Sequence, residues 1–165
     1  MTREGPKLRI VFVCTGNICR SPAAENIFRH RAAAEGLLSD LEIDSAGTGG
    51  WHEGEAPDRR SAAALRAGGY PVEGRARALR EPDIAGFDLF VCMDRTHVDD
   101  LLGRGAAKRR VVLIRHFDEA RGHDEVPDPY HGGDDGFREM IAMLEASMDG
   151  LFRRVRELLA EKRGR

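Results

Sequence analysis

The sequence predicts an α/β fold of three layers, a doubly wound four-stranded parallel sheet with helices on both faces. Three observations predict it. Short runs rich in Val, Ile, Leu and Phe, at 8–13, 41–47, 87–93 and 110–115, alternate with longer segments of helical periodicity. The first run has almost no polar interruption, as expected of a central strand buried on both faces. That strand then turns through a short polar loop straight into a helix start, which places a ligand site at the carboxyl end of the sheet.

Taken in order, Leu8–Val13 is the first strand, and Ser21-Pro22 opens the first helix. Pro is tolerated in a first turn, and Ser can cap. Ala24, Ile27 and Phe28 form the apolar stripe of this helix, which runs to about Glu35 and stops at Gly36. Leu41–Gly47 alternates and turns at Gly, which makes it the second strand. A Gly-rich loop carrying Trp51 leads to an Ala-rich helix over Pro57–Ala67, ended by Gly68-Gly69, and Arg75–Leu79 is read as a further short helix. Phe87–Met93 is the third strand, with Asp94 as N-cap of a helix over Arg95–Leu102. Arg110–Arg115 is the fourth strand. A long polar stretch from His116 to Asp135 follows, and polar loops of that length are more often functional than not. The last helix is marked by Phe137, Met140, Ile141, Leu144, Met148, Leu151, Phe152, Val155, Leu158 and Leu159. The basic tail Lys162–Arg165 is read as its solvated end.

A chain of 165 residues predicts one domain, 1–165. The formal net charge of −2 carries no basic excess for nucleic acid or a membrane surface, so positive potential toward an anion has to be local. Leu8–Val13 is too short for a signal-peptide core or a membrane span, which predicts a cytoplasmic chain, although leaderless export is compatible. Cys14, Cys19 and Cys92 are too few and too unevenly spaced for a disulfide framework, and scattered histidines predict no metal site.

The chemistry concentrates in Cys14-Thr-Gly-Asn-Ile-Cys-Arg20, between strand and helix. Successive backbone N–H groups from Thr15 to Arg20, through Gly16, Asn17, Ile18 and Cys19, can point inward as an anion nest. Gly16 permits close backbone approach, and Asn17 tolerates left-handed dihedrals. Arg20 offers a planar fork to two oxygens, a geometry Lys cannot match. The same dipoles favour a thiolate on Cys14, and Ser21 can add a hydroxyl hydrogen bond to it. A free strand cysteine is usually just buried. Here Gly, Asn, Arg, Ser and Pro follow it in an order that suits an in-line attack on phosphorus. The loop lacks the Lys of a nucleotide-binding P-loop, which disfavours ATP hydrolysis. A cysteinyl-phosphate route also needs an acid for the leaving oxygen. Asp128 is the best candidate, stiffened by Pro129 and flanked by Tyr130, although most Asp-Pro pairs are only turns.

Val11–Pro22 followed by Asp128-Pro-Tyr130 resembles the low-molecular-weight protein tyrosine phosphatases, and actinobacterial members look especially similar. The likeness extends to Asp44–His52, Cys92-Met-Asp-Arg95 and Asp128–Phe137. It implies hydrolysis of phosphotyrosine monoesters in proteins, with no metal and no cofactor. In that family's scheme Cys14 attacks phosphorus, Arg20 holds the phosphate, and Asp128 protonates the tyrosine oxygen before acting as base toward water. Inorganic phosphate is then product and inhibitor. Trp51 and Tyr130 match the family's aromatic rim, although a lone loop Trp can equally be a packing anchor. Asn17, Ser21 and Ser45 match a network that stiffens the phosphate loop.

Three positions depart from the family pattern. His131 stands where a second tyrosine is frequent, and Gly74 where a histidine commonly completes the Asn17 network. A compensating water, side chain or looser loop is expected there. Thr15 follows Cys14 where a larger aliphatic residue is common, so its side chain either tunes substrate preference or fills space. Rivals on the same fold are an arsenate reductase, which needs a downstream cysteine pair where only Cys92 is present, and a phosphoarginine phosphatase, which Ile18 and Tyr130 disfavour. A phosphotyrosine-binding module without turnover is expected to lack Cys14 or Asp128. Cys19 has two open roles: packing beneath the loop, or a reversible disulfide with Cys14 under peroxide. A near-balanced charge is compatible with a monomer or a weak homo-oligomer.

Overall fold

The computed structural model describes residues 5–164. Its sheet contains β1 (Leu8–Cys14), β2 (Leu41–Gly47), β3 (Leu89–Cys92) and β4 (Val111–Leu113), all parallel in the order β2-β1-β3-β4. The expected four-stranded parallel sheet is therefore present, with β1 central. The helices are α1 (Arg20–Ala34), α2 (Arg59–Ala67), α3 (Glu81–Gly86), α4 (Arg95–Gly103) and α5 (Asp134–Lys162).

Side chains alternate across the sheet, and the two faces bury separate cores. Ile10, Phe12 and Cys14 of β1 face α1 and α5, where Phe12 packs at a tilt against Phe28, which stacks on Phe152. Val11, Val13 and Cys92 face the other way, toward Phe87, Leu101 and Ala106. This register places Cys14 at the carboxyl end of the central strand on the α1 side. It places Cys92 on the opposite face of the sheet.

Three readings need correction. Arg75–Leu79 is not helical. Its backbone is extended and bonds across to Gly47 and Glu55, with Arg77 O accepting from Gly47 N–H at 2.8 Å and Ala76 N–H donating to Glu55 O at 2.8 Å. The short helix lies one segment later, at Glu81–Gly86, with Pro82 in its first turn. Ser21 does not cap α1. The helix starts at Arg20 with Cys19 at its N-cap and no side-chain cap, so Ser21 lies inside the first turn. The basic end of α5 is not a solvated tail, because Lys162 pairs with Asp88 at 2.6 Å and Arg163 reaches the fully buried Asp40 at 3.1 Å. Arg165 lies outside the described residues.

Among the described residues no helix is long and apolar enough to cross a membrane. Among the same residues no group of three or more His, Cys, Asp or Glu is placed to hold a metal ion.

Candidate active site

The loop after β1 is folded by what its carbonyls do. Thr48 N–H donates to Cys14 O at 2.9 Å, Gly49 N–H to Thr15 O at 3.0 Å, Asp58 N–H to Ile18 O at 2.8 Å, and Ser61 Oγ to Cys19 O at 3.1 Å. With these carbonyls bound outward, the amides from Thr15 to Cys19 have no protein acceptor among the described residues and lie free for an anion. Gly47 lets β2 come close enough for this packing, since a Cβ there would lie 2.6 Å from Thr15 O. Asn17 is the one non-glycine described residue with positive φ, at 59°, which is the left-handed turn that wraps the loop.

Asn17 is buried and fully engaged. Its Nδ2 donates to Ser21 Oγ at 2.8 Å and to Ser45 Oγ at 3.0 Å, and its Oδ1 accepts from Arg77 N–H at 3.0 Å. Ser21 Oγ also lies 2.9 Å from Cys14 Sγ, and toward a thiolate, which has no hydrogen, the hydroxyl is the donor. Ser45 passes its hydrogen to Glu25 Oε1 at 2.6 Å, and Glu25 is held by Arg29 at 2.7 Å. This answers the question raised by Gly74. The backbone of Arg77 and the Glu25 carboxylate hold the network, and beside Gly74 there is a cavity of only about 10 Å³.

Arg20 is buried, yet it is neutralised and aimed. Nη1 donates to Asp94 Oδ2 at 2.7 Å and to Val126 O at 3.0 Å, and Nη2 donates to Thr15 Oγ1 at 3.3 Å. No protein acceptor among the described residues takes Nε–H or the second Nη2 hydrogen. That edge of the guanidinium is free to grip two oxygens of an anion. Asp94 does cap α4, by accepting from Thr96 N–H at 2.9 Å, and its other oxygen orients Arg20. Burial opposes ionisation of Asp94, but the hydrogen bonds from Thr96 and Arg20 hold its carboxyl below the ordinary range. His97, 1% exposed, closes this corner, with Nε2 at 2.9 Å from Thr15 Oγ1. Burial pushes His97 down to about 4, with Arg20 acting in the same direction against the carboxylates of Asp94 and Asp128.

Cys14, Thr15, Gly16, Ile18, Cys19 and Arg20 form the floor and wall of a cavity of about 130 Å³, with Trp51, His52, Asp128 and Tyr130 around its mouth. Asp128 Oδ2 lies 3.8 Å from Arg20 Nη2, and Oδ1 accepts from Tyr130 N–H at 3.0 Å. The Asp-Pro turn is thus present, and it aims the carboxylate over the guanidinium. Trp51 is 73% exposed, which is not the exposure of a packing anchor, and its ring lies across Gly49, where any Cβ would collide with it. Two larger hollows along α2, of about 680 and 830 Å³, contain no cysteine.

Cys19 is buried beside Cys14 and is a free thiol. Burial, then the negative charges of Asp58, Cys14 and Asp128, push it up to about 12. Cys92 is wholly buried on the far face of the sheet, and burial pushes its thiol up as well.

The structure brings together every side chain expected at the site. Asn17, Ser21 and Ser45 lie behind the cavity rather than in its wall. Four contributors were not identified as site residues from sequence. Asp94 carried a signal, as a cap at the carboxyl end of a strand beside the central one, and His52 adjoins Trp51. Glu25 and His97 carried none, because each acts through a residue distant in the chain.

Residues 9–162 match the family described as low molecular weight phosphotyrosine protein phosphatase. A low molecular weight protein-tyrosine-phosphatase of Streptomyces coelicolor is 47% identical over 154 residues, covering 90% of this chain and 94% of that protein. Low molecular weight protein-tyrosine phosphatase A of Mycobacterium tuberculosis is 43% identical over 155 residues, covering 93% and 94%. A crystal structure of a protein tyrosine phosphatase from Entamoeba histolytica superposes with a TM-score of 0.87 at 35% identity, covering 92% of this chain and 98% of that one.

Proposed function

Because the chain belongs to the low molecular weight phosphotyrosine protein phosphatase family, we propose that Cys14, Arg20 and Asp128 carry out its hydrolysis of phosphotyrosine monoesters. The observation that supports this reading is one cavity with a sulfur at its floor and an aimed guanidinium in its wall, where a carboxylate at the mouth lies 3.8 Å from that guanidinium.

The Cys14 thiolate attacks phosphorus while the bond to the tyrosine oxygen breaks, and that oxygen takes the proton of the Asp128 carboxyl group. Arg20 and the loop amides hold the three equatorial oxygens as their charge redistributes. In the second step Asp128, now a carboxylate, takes a proton from water as the water oxygen attacks phosphorus. The thiolate leaves, and inorganic phosphate is released as product and competing ligand. Trp51, His52 and Tyr130 offer ring faces at the mouth to the phenyl ring of a phosphotyrosine. Substrates are phosphoproteins met in the cytoplasm, by a monomer or weak homo-oligomer.

Cys14→Ser tests the nucleophile and is expected to abolish hydrolysis of an aryl phosphate with the fold retained. Asp128→Ala is expected to slow turnover by about 10²–10⁴-fold, the usual worth of a positioned acid. Near-wild-type turnover in either variant overturns that assignment. A phosphotyrosine peptide assayed beside a phosphoarginine peptide, and beside arsenate with thioredoxin, separates the substrate classes. Cys92 on the far face of the sheet speaks against a disulfide relay.

A further inference from the structure

Thr15 lies in the cavity wall, and counting hydrogens around it assigns its hydroxyl a direction. The backbone N–H of Asp94 donates to His97 Nδ1 at 3.1 Å, so that nitrogen carries no hydrogen. The neutral ring therefore carries its hydrogen on Nε2, which must donate to Thr15 Oγ1 at 2.9 Å. Arg20 Nη2 donates to the same oxygen at 3.3 Å. A hydroxyl oxygen has two lone pairs, and both are then engaged. Its single hydrogen points away from both donors, and no protein acceptor among the described residues receives it. Thr15 is only partly buried and borders the same cavity as Cys14, Arg20 and Asp128.

We propose that Thr15 is a side-chain hydrogen-bond donor to the phosphoryl group in the cradle, with its hydroxyl aimed there by His97. This rests on the reading of Cys14 and Arg20 as the phosphate site. His97 touches no substrate and is a positioning residue: by filling one lone pair it leaves the hydroxyl no use but outward donation. Such a donor is fixed before the substrate arrives, and it counts most where charge builds on the equatorial oxygens. An aliphatic side chain at position 15 supplies no such bond.

The test uses orthovanadate and inorganic phosphate as probes, read by the fluorescence of Trp51, the only tryptophan in the chain. Turnover of an aryl phosphate is followed in parallel. Thr15→Val, of nearly equal shape, is expected to weaken vanadate binding about tenfold and to lower kcat more than it raises KM. Thr15→Ser restores most of the loss. His97→Leu reproduces part of it, and the double variant loses no more than Thr15→Val alone, since His97 acts through that hydroxyl. Wild-type affinity in Thr15→Val overturns the proposal. Thr15→Ser as weak as Thr15→Val also overturns it, because the methyl group is then what matters. So does a Thr15→Val loss that vanishes in an Asp128→Ala background, which assigns the hydroxyl to the acid instead. Failure of the site reading itself has a different signature: wild-type protein that neither binds vanadate nor hydrolyses the ester, or a Cys14→Ser variant that still hydrolyses it.

Discussion

Ser21→Ala removes two hydrogen bonds, one to the Cys14 sulfur and one from Asn17, and its catalytic effect falls on one half of the reaction. Ser21 is fully buried, and its hydroxyl, 2.9 Å from Cys14 Sγ, already accepts from Asn17. With no exposed surface, no water replaces the lost donor. A hydrogen bond to a charged group contributes about 1.5–3 kcal/mol, and each 1.4 kcal/mol is a factor of ten. In the first step the thiolate is consumed, so losing the donor destabilises reactant and product unequally and partly offsets itself. In the second step negative charge returns to sulfur as it leaves phosphorus, and the lost donor acts in full measure at the end of that step. Hydrolysis of the cysteinyl-phosphate should slow by about tenfold to a hundredfold, while its formation slows less. The assay is rapid-quench hydrolysis of nitrophenyl phosphate. The variant should release a burst of about one equivalent of phenolate per enzyme before a slow steady state, with phosphate on Cys14 detected by mass spectrometry. Ser21→Thr, which keeps the hydroxyl, should not. A Ser21→Ala variant with wild-type steady-state rate and no burst would refute the claim that this hydroxyl serves the leaving sulfur. Asn17 keeps Ser45 and Arg77 but is left with one buried N–H unpaired, so the fold should lose about 1–3 kcal/mol.

Acid sensitivity should be carried in part by His97. Its pKa is depressed in the fold to about 4 from an ordinary 6.5, so between those values the unfolded chain binds a proton that the folded one does not. Stability is full above about pH 6.5 and is lost as pH falls toward 4, by on the order of 3 kcal/mol. His97→Gln should flatten urea midpoints over that window, and an unchanged slope refutes the assignment. Cys19, held as a thiol up to about 12, should capture oxidised Cys14 slowly at neutral pH and faster as pH rises. Peroxide titrations followed by mass spectrometry should show the Cys14–Cys19 link gaining on sulfonate with increasing pH, and the reverse trend refutes it. Arg163→Ala should cost on the order of 2 kcal/mol by urea denaturation, because it removes a largely buried cation facing Asp40. A change within error returns this end of α5 to the status of a solvated tail.

The sheet and the loop after the first strand were legible in the sequence, because each depends on residues close together in the chain; that Asp128 lies over Arg20 was decided by the tertiary structure. Strand and helix periods are local. The outward carbonyls and inward amides of Thr15–Cys19 follow from a strand-to-helix turn that Gly16 and Asn17 permit. Tertiary structure alone decided what holds and aims those groups. Asp94 fastens Arg20 from 74 positions away, Arg77 fastens Asn17 from 60, and His97 meets Thr15 from 82. It also decided that Ser21 serves the sulfur rather than the helix end, that Arg75–Leu79 pairs with Gly47 instead of coiling, and that Cys92 faces away from Cys14. The physical reason is the same in each case. A buried polar group takes whichever partner the packed elements deliver, and the parallel order β2-β1-β3-β4 brings remote loops together at one end of the sheet.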